Sequence, residues 1–294
     1  MEEQNELIKS VVARHFDAAA QSYKKANGLQ QVVAERLLER MDYMALSPQI
    51  MLDMGSGPGT SSLLLQNAFR KAHILELDLS PAMLLESKRN DRKLFSRRSR
   101  ISADAEQIAV RTSSVDVVFS SLMLQWCDKP DAVFGEVERI LKPNGLFIFS
   151  SFGPDTLKEL RQSWQAVDNE THVNTFLDMH DVGDALVRCG LQNPVLEDEY
   201  IDFQYDDART LMRDLKQIGA QNSNTGRRKS LTGKRRMQRM LAEYEKLRKD
   251  GRLPVTYEVV YGHAWKSSVE LAKKTADNTA TFSIEALKGS LPRQ

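Results

Sequence analysis

Apolar residues follow two alternating spacings along most of the chain, and this alternation predicts strands that take turns with helices. Short continuous apolar runs are typical of strands buried on both faces. Stretches with apolar residues three or four positions apart lie between these runs and predict crossover helices. The predicted strands are 49–55, 73–80, 100–106, 114–126 and 145–153, and the predicted helices are 28–44, 60–71, 81–90 and 130–142. This order indicates an α/β fold with a doubly wound, mostly parallel sheet.

The second half of the chain has a looser pattern. Its predicted helices are 155–167 and 179–190, and its predicted strands are 195–205 and 255–266. The stretch 206–252 is polar and helical, and it is too long for an ordinary connection between strands. We predict that it forms a lid together with the N-terminal helices 5–44, over a single domain of residues 1–266. The tail 267–294 has few apolar residues and is expected to be peripheral.

The composition narrows the class of protein. An apolar share of 41% with 28% charged residues is typical of a soluble globular chain, and no apolar run approaches the ~20 residues of a membrane span. The 41 basic and 40 acidic residues balance, so broad binding of nucleic acid is not expected. The start, MEEQNELIKS, resembles neither a secretory signal nor a mitochondrial presequence. We expect a cytoplasmic protein in which Cys127 and Cys189 are thiols.

The stretch MLDMGSGPGT, at residues 51–60, joins a predicted strand to a predicted helix. Its glycines at 55, 57 and 59 can adopt positive φ and let the backbone approach a ligand closely. A tight turn would also explain a glycine motif taken alone. Asp78, however, ends the second predicted strand nineteen residues after Gly59. An acid at that place can accept hydrogen bonds from both ribose hydroxyls of an adenosine ligand.

Two adenosine ligands compete for this loop, a dinucleotide and S-adenosylmethionine. The dinucleotide fingerprint requires a third glycine where this chain has Thr60. Asp53, before the loop, can reach the ligand's ammonium group directly or through water. Asp104, after the third strand, can accept from the adenine amino group, although a helix cap explains Asp104 alone equally well. Three acids at successive strand ends suit a cationic ligand without phosphate, so the set favours S-adenosylmethionine.

Five stretches resemble class I S-adenosylmethionine-dependent methyltransferases, which have a Rossmann-like fold. They are MLDMGSGPGT, LELDLSPAML, DAEQIAV, DVVFSSLMLQWC and RILKPNGLFIFSSFG, and they cover roughly residues 49–153. The resemblance implies a role for each matched position: Gly55, Ser56 and Gly57 under the methionine end, Asp78 at the ribose, Asp104 and the backbone of Ala105 at the adenine, and Ser120 or Ser121 near the sulfonium. The fold does not identify the methyl acceptor.

Stretches on both sides of this region resemble one subfamily, the malonyl-acyl-carrier-protein methyl ester synthases of biotin synthesis. They are HFDAAAQSY, LQWC, RQSWQAVD, HVNTFL, LMRDLKQIGAQN, SLTGK and GRLPVTYEVVYGHAW, in order through about residues 10–266. The resemblance implies methylation of the free malonyl carboxylate on a carrier-protein thioester, or on malonyl-coenzyme A. A carboxylate is already an anion at pH 7, so this acceptor needs no general base.

Four side chains are candidates for contact with the methyl acceptor. Arg213 and Lys216 lie three apart on one face of a predicted helix, and the Arg213 guanidinium suits a carboxylate. An ion pair with Asp207 explains Arg213 equally well. Tyr23 could close over the sulfonium, and Phe176 could line the acyl channel. Simple packing remains an alternative for both aromatic side chains.

Residues 227–239, RRKSLTGKRRMQR, hold seven basic residues and no acid. We predict that Arg227, Arg228, Arg235 and Arg236 dock the acidic acyl carrier protein. A solvated helix end is the simpler alternative, and RNA is disfavoured because no aromatic residue is interleaved for base stacking. No histidine has the spacing of a metal ligand, so no metal is predicted.

Three other functions stay open. The subfamily also resembles a mitochondrial complex I assembly factor that binds S-adenosylmethionine and hydroxylates an arginine. The missing presequence and the intact LQWC, HVNTF and LMRDLK stretches argue against that assignment. A quinone-type small-molecule methyltransferase would leave the basic stretch unexplained. A sensor that binds the cofactor without turnover is the third.

Overall fold

The computed structural model describes residues 7–91, 96–225 and 232–268. The helices are α1 Lys9–Ala19, α2 Tyr23–Ala26, α3 Gly28–Met41, α4 Thr60–Ala68, α5 Pro81–Asn90, α6 Pro130–Ile140, α7 Lys158–Gln165, α8 Met179–Arg188, α9 Ala208–Gln217 and α10 Lys234–Glu245, with a 3-10 turn at Leu124–Trp126. The strands are β1 Ile50–Met54, β2 His73–Asp78, β3 Arg98–Ser102, β4 Val115–Ser121, β5 Leu141–Phe152, β6 Leu191–Tyr205 and β7 Leu253–Lys266.

The strands form one seven-stranded sheet in the order β3-β2-β1-β4-β5-β7-β6. Strands β1 to β5 pair in parallel, and β7 pairs antiparallel with both β5 and β6. The predicted doubly wound, mostly parallel α/β fold is therefore confirmed. The strand order reverses between β1 and β4, and ligands of such sheets bind where the carboxyl ends of the strands meet at this reversal.

Helices cover both faces of the sheet, which explains the continuous apolar runs in the sequence. Successive side chains of a strand point to opposite faces. In β4, Phe119 packs on one face with α3, α7 and α9, whereas Val118 packs on the other face with α6 and α8. Both side chains are buried. The core is thus two apolar layers, one on each side of the sheet.

The third strand differs from its prediction for a physical reason. It was predicted at 100–106 and lies at Arg98–Ser102, so Asp104 follows the strand instead of ending it. Its arginines pair with buried acids, and Arg98 lies 3.2 Å from Glu76. Charged side chains paired inside a protein interrupt the apolar pattern from which a strand is predicted.

The insertion between β6 and β7 contacts the N-terminal segment. The Ile8 amide donates to the Ser223 carbonyl at 3.0 Å, and the Ser22 hydroxyl donates to the Gln217 carbonyl at 3.0 Å. The two segments predicted as a lid therefore touch each other. Of the remaining predictions, Arg227, Arg228 and tail residues 269–294 lie outside the described residues. Within the described ranges, no helix is long and apolar enough to cross a membrane.

Candidate active site

An elongated cavity opens at the carboxyl ends of β1, β2 and β4. The residues predicted for the site that line it are Tyr23, Gly55, Gly57, Asp78, Asp104, Ala105, Ser121 and Phe176. One half is bounded by the glycine loop and the acids that follow β2 and β3. The other half is bounded by aromatic and amide side chains from β5, β7 and the segment after α7. The cavity can therefore place two different molecules next to each other.

The glycine loop is held in its shape by the neighbouring strand. The amides of Gly55 and Ser56 donate to the Leu77 carbonyl, at 2.8 and 3.0 Å. Gly55 has φ +79°, and a Cβ there would lie 2.3 Å from the Met123 side chain. No side chain fits at this position, so the backbone itself forms the wall of the cavity.

Asp78 is positioned by two backbone amides. The Gly57 amide donates to Oδ2 and the Ser80 amide donates to Oδ1, both at 2.8 Å. Burial raises the pKa of this carboxyl to about 6, against the opposing effect of those two hydrogen bonds. Ser80 also caps α5 by accepting from the Met83 amide, and Pro81 begins that helix. The carboxylate thus faces the cavity in a fixed orientation, with lone pairs left for donors of a ligand.

Asp53 lies behind the loop rather than at the cavity wall. It is 1% exposed, and its Oδ2 accepts hydrogen bonds from the hydroxyls of Ser61 at 2.8 Å and Ser62 at 2.5 Å. Burial raises the pKa of Asp53 to about 7, although both hydroxyl bonds act against that rise. Asp53 does not line the cavity, and its contact with the ligand's ammonium group, directly or through water, stays a prediction.

Ser56 and Ser120 are likewise buried and do not line the cavity. The Ser120 hydroxyl donates to the Met54 carbonyl at 3.0 Å, which joins β4 to β1. Successive residues of a strand face opposite sides, so only Ser121 of the two serines after Phe119 reaches the cavity. Of this serine pair, Ser121 is the candidate to lie near the sulfonium.

Asp104 forms an ion pair that sequence reasoning missed. Lys9 Nζ, from α1, lies 2.6 Å from Asp104 Oδ2 and 2.6 Å from Glu106 Oε2. Burial lowers the pKa of Lys9, but its bonds to the two carboxylates outweigh burial and raise it. Lys9 is therefore charged, and it fastens α1 over the end of the cavity predicted to hold adenine. The contact joins residues 95 positions apart, so no local pattern could reveal it.

Aromatic rings surround the acceptor half of the cavity. Phe152 packs edge to face on Phe176, with ring centroids 5.6 Å apart, and lies 5.7 Å from the Tyr257 ring. Tyr23 lines the junction between the two halves. Burial, and then the nearby Asp78 carboxylate, raises the pKa of Tyr23, so its hydroxyl stays protonated. These walls are largely apolar and present few charges.

His172 also lines the acceptor half, and sequence reasoning considered histidines only as metal ligands. Its Nε2 lies 2.7 Å from Asp168 Oδ1. Its ring stacks on Trp164, with centroids 3.8 Å apart and an interplanar angle of 10°. The RQSWQAVD and HVNTFL stretches contain this trio, but its geometry depends on the loop between them.

The predicted carboxylate-binding helix presents a different face from the one expected. Leu215 of α9 and Ile218 directly after the helix line the cavity, whereas Arg213 and Lys216 are exposed on the far side of the helix. The apolar stripe of a helix turns towards the core and its charges turn outwards. The nearby Arg213 charge helps, after the hydrogen bonds from Thr210, to lower the pKa of Asp207. The structure does not bring Arg213 or Lys216 to the acceptor.

The described part of the predicted docking stretch divides between two environments. Arg235 is exposed at the start of α10. Arg236 points inwards, where its Nη1 lies 3.4 Å from Asp168 Oδ2 and 3.3 Å from Glu170 Oε1. Two consecutive residues of one helix therefore differ: Arg235 belongs to a basic surface, and Arg236 contacts the acids beside the cavity wall.

Asp168, Glu170 and His172 place three potential metal-binding atoms within 4.8 Å of one another. The Arg236 guanidinium is already paired with both carboxylates of this group. A second cation would have to compete with it at close range. The absence of a metal stays a prediction.

A family model described as a methyltransferase domain matches residues 52–149, which is the cofactor half from β1 to β5. The YcgJ protein from Bacillus subtilis has the same fold, with a TM-score of 0.57 and 12% identity over 79% of this chain and 97% of that one. Phosphoethanolamine N-methyltransferase 2 from Haemonchus contortus, in complex with S-adenosyl-L-methionine, has a TM-score of 0.54 and 18% identity, covering 85% of this chain and 57% of that one. At these identities the likeness shows the fold alone.

Curated relatives are much more similar. The malonyl-acyl-carrier-protein O-methyltransferase of Laribacter hongkongensis is 47% identical over 276 residues, covering 92% of this chain and 93% of that protein. The protein of the same name from Methylovorus is 45% identical over 271 residues, covering 90% of this chain and 92% of the relative. These matches cover the acceptor half and the insertion as well as the cofactor loop.

Proposed function

The chain belongs to the family of malonyl-acyl-carrier-protein O-methyltransferases, and we propose that it methylates the free carboxylate of a malonyl group carried by acyl carrier protein. The methyl donor is S-adenosylmethionine. The observation that carries the proposal is the extent of the likeness to the relatives, which covers about nine tenths of the chain. The acceptor half is therefore shared, and not only the cofactor loop that many methyltransferases have in common.

The cofactor half supports binding of S-adenosylmethionine. The glycine loop, Asp78 and Asp104 line one cavity. This fits the proposed roles of the loop at the methionine end, Asp78 at the ribose and Asp104 at the adenine. Ser121 and Tyr23 also line the cavity, and we assign them to the region where the sulfonium meets the acceptor. A cation held there is stabilised by acids and aromatic faces instead of water.

The acceptor half supports a substrate that needs no proton removed. Apart from His172, its walls are mostly aromatic, aliphatic and amide side chains. Methyl transfer requires a nucleophile about 3 Å from the methyl carbon and in line with the leaving sulfur. A carboxylate meets this requirement as an anion, provided that water is excluded and its position is fixed. The methyl ester has no charge, which fits the implied use of the product as an apolar starter in biotin synthesis.

The contacts of the lid support a closed reaction chamber. Phe16 of α1 packs edge to face on Trp126, with centroids 5.2 Å apart. Asp17 accepts a hydrogen bond from the Ser80 hydroxyl at 2.5 Å, next to Asp78. These contacts join the N-terminal helix to the walls of the cofactor pocket. The lid must therefore open for the cofactor to enter and for S-adenosylhomocysteine to leave.

The start of α10 supports docking of an acidic carrier protein. Lys234, Arg235 and Arg239 are exposed on this helix. The basic residues 227 and 228 precede it in the sequence. Complementary charge increases the rate of encounter with an acidic partner and weakens with added salt. Malonyl-coenzyme A, which has no carrier protein, would not use this surface.

We expect the combined change of Arg227, Arg228 and Arg235 to Ser to raise the KM for malonyl-acyl carrier protein about tenfold at low salt. The KM for malonyl-coenzyme A should stay within about twofold, because the cavity is unchanged. Arg236 is left intact in this variant because it supports Asp168. The measurement is steady-state kinetics with both substrates at two salt concentrations.

The matched control is the change of Lys88 and Arg89 to Ser. Both are exposed at the end of α5, at the edge of the sheet opposite the cavity. This variant should leave both KM values as they are. An equal rise in KM for the two substrates in the arginine variant would contradict docking at this surface.

We expect cofactor affinity to increase as the pH rises from about 5 to about 7. Burial raises the pKa of Asp78 to about 6 and that of Asp53 to about 7, so both carboxyls are partly protonated below neutrality. The cationic cofactor and its ribose hydroxyls favour the ionised acids, so binding releases protons. Each fully released proton changes affinity by about tenfold per pH unit.

Calorimetry at about pH 6 in buffers of different ionisation heat counts the released protons. The Asp78→Asn variant should release fewer protons than the unaltered protein. A Kd that is constant across this pH range would contradict the proposed role of the buried acids.

The proposed reaction itself is tested by intact mass spectrometry of the carrier. The protein, S-adenosylmethionine and malonyl-acyl carrier protein should give a carrier heavier by one methylene. Acetyl-acyl carrier protein, which has no free carboxylate, should stay unchanged. If the malonyl carrier gains no mass while calorimetry shows cofactor binding, the acceptor is another molecule.

A further inference from the structure

Asp17, near the end of the N-terminal helix α1, bonds to the start of α5. Its Oδ1 accepts hydrogen bonds from the Ser80 hydroxyl at 2.5 Å and from the Ala82 amide at 3.2 Å. Both donors follow directly on β2, the strand that ends at Asp78. Asp17 and Ser80 are 63 positions apart in the sequence, so these bonds fasten the lid to the cofactor half.

The bonds from Asp17 complete the capping of α5. The first amides of a helix have no partner inside the helix and need an acceptor from elsewhere. Pro81, at the first position, has no amide hydrogen, and the Met83 amide donates to the Ser80 hydroxyl oxygen at 3.2 Å. The Ala82 amide, which lies between them, donates to Asp17. The start of α5 is therefore fully capped when α1 lies against it, and the positive end of α5 in turn stabilises the Asp17 carboxylate.

Ser80 joins Asp17 to Asp78, the acid assigned to the ribose. Its backbone amide donates to Asp78 Oδ1 at 2.8 Å, and its hydroxyl donates to Asp17 Oδ1. Ser80 is 1% exposed, so one buried residue uses both of its donors on two carboxylates. A displacement of α1 would remove one of these two carboxylates from the residue that holds the other in place.

The charges of Asp17 and Asp78 act on each other across this serine. Burial is the largest cause that raises the pKa of Asp78, and the nearby Asp17 charge raises it further. Asp53, behind the glycine loop, and Tyr23, from α2, also interact with the Asp78 charge. A ligand that donates hydrogen bonds to Asp78 stabilises its ionised form and offsets the repulsion from Asp17.

We propose that Asp17 is a positioning residue that acts through Ser80 and couples the docking of α1 to the orientation of the Asp78 carboxylate. This inference rests on the proposed place of Asp78 at the ribose. With α1 docked, Ser80 is held from both sides, and Asp78 presents its remaining lone pairs to the cofactor. The coupling is reciprocal: the docked helix strengthens cofactor binding by the same factor by which the cofactor strengthens docking.

The test compares Asp17→Ala, which removes the carboxylate, with Asp17→Asn, which keeps the Oδ1 acceptor but has no charge. We expect Asp17→Ala to raise the Kd for S-adenosylhomocysteine about tenfold, mainly through faster dissociation, because the hydrogen bonds that hold α1 closed are lost. Asp17→Asn should raise this Kd by less than about threefold, since it can still accept from Ser80. Calorimetry measures the Kd, and stopped-flow fluorescence measures the dissociation rate.

The pH profile of Asp17→Asn separates positioning of Asp78 from simple support of the fold. Without the like charge beside it, Asp78 ionises at a lower pH. The increase of cofactor affinity with pH should therefore begin at a lower pH in Asp17→Asn than in the unaltered protein. In the Asp78→Asn background, the same change at Asp17 should cause no such shift.

Ser80→Ala tests the route by which Asp17 acts. In the Ser80→Ala background, Asp17→Ala should raise the Kd by less than about threefold, because the serine between the two acids has lost its hydroxyl. An equal effect of Asp17→Ala in both backgrounds would overturn the proposed route. The pH profile of Asp17→Asn does not depend on how well Ser80→Ala folds.

Asp178→Ala is the matched control. Asp178 Oδ1 also accepts from an amide at the start of a helix, that of His180 on α8 at 2.8 Å, and no described residue of α8 lines the cavity. This variant should keep the Kd and the pH profile. Unchanged cofactor binding by Asp78→Asn would remove the proposed ribose site itself. Weakened binding by Asp78→Asn, with an unchanged Kd and pH profile in both Asp17 variants, would overturn only the role of Asp17.

Discussion

The change Asp78→Asn is expected to weaken S-adenosylmethionine binding about 100-fold, which corresponds to the loss of one or two hydrogen bonds to a charged group. The Gly57 and Ser80 amides already donate to the two oxygens of Asp78. An asparagine would turn one of those oxygens into an NH2 group that faces a donor. The amide would also lose the negative charge and one acceptor for the ribose hydroxyls. Calorimetry with the cofactor measures the effect.

Asp116→Asn is the control for this prediction. Asp116 Oδ2 also accepts from two backbone amides, those of Gln49 at 2.9 Å and Ile50 at 2.8 Å. It lies at the amino end of β4, on the edge of the sheet away from the cavity. This variant loses the same kind of backbone contact but should bind the cofactor within about twofold of the unaltered affinity. A Kd for Asp78→Asn that matches the control would contradict the ribose assignment.

The change Glu76→Gln is expected to lower the free energy of unfolding by about 3 kcal/mol, because it removes the most deeply buried carboxylate of an ion-pair network. Arg98 and Arg100 would then share Asp91 as their remaining carboxylate partner. Glu76 lies 3.2 Å from Arg98 Nη1 and 3.0 Å from Arg100 Nε. The side chains of Glu76 and Arg98 are 0% and 2% exposed. Arg98 also donates to the Gly59 carbonyl at 3.3 Å, so the network supports the glycine loop. Thermal unfolding should show a Tm lower by roughly 6–10 °C.

Arg188→Gln removes an exposed ion pair for comparison. Arg188 lies 3.0 Å from Asp131, and both side chains are more than half exposed. Such pairs contribute about 0–1 kcal/mol, so this variant should unfold close to the temperature of the unaltered protein. Equal Tm values for Glu76→Gln and Arg188→Gln would show that the buried network does not stabilise β3.

The acceptor site shows where sequence reasoning fails and why. Arg213 and Lys216 share a helix face, as their spacing predicts, but spacing does not decide which face meets the cavity. The core takes the apolar side of α9, which carries Leu211 and Leu215, and leaves the arginine in solvent. His172 was judged only by its spacing to other histidines. Its stacking and its carboxylate partner come from the fold of one loop.

The cofactor half was predicted more completely because its information is local. The glycine loop, Asp78 and Ser121 follow directly on parallel strands, and parallel strands end at one edge of a sheet. Even here, the sequence did not predict which of these side chains face the cavity and which point away from it. Asp53 lies behind the loop on Ser61 and Ser62, and Ser120 points away from Ser121 into the sheet.

The sequence by itself determined the doubly wound sheet, the family and the cofactor loop, because periodicity and short motifs act over a few residues. The tertiary structure alone decided which charged side chains, far apart in the sequence, come into contact. Lys9 pairs with Asp104, and Arg236 supports Asp168 beside His172. Such contacts depend on how helices rotate and pack against the sheet. The apolar pattern fixes only which face of a helix is buried, and packing in three dimensions selects the polar partner that each buried or half-buried charge will meet.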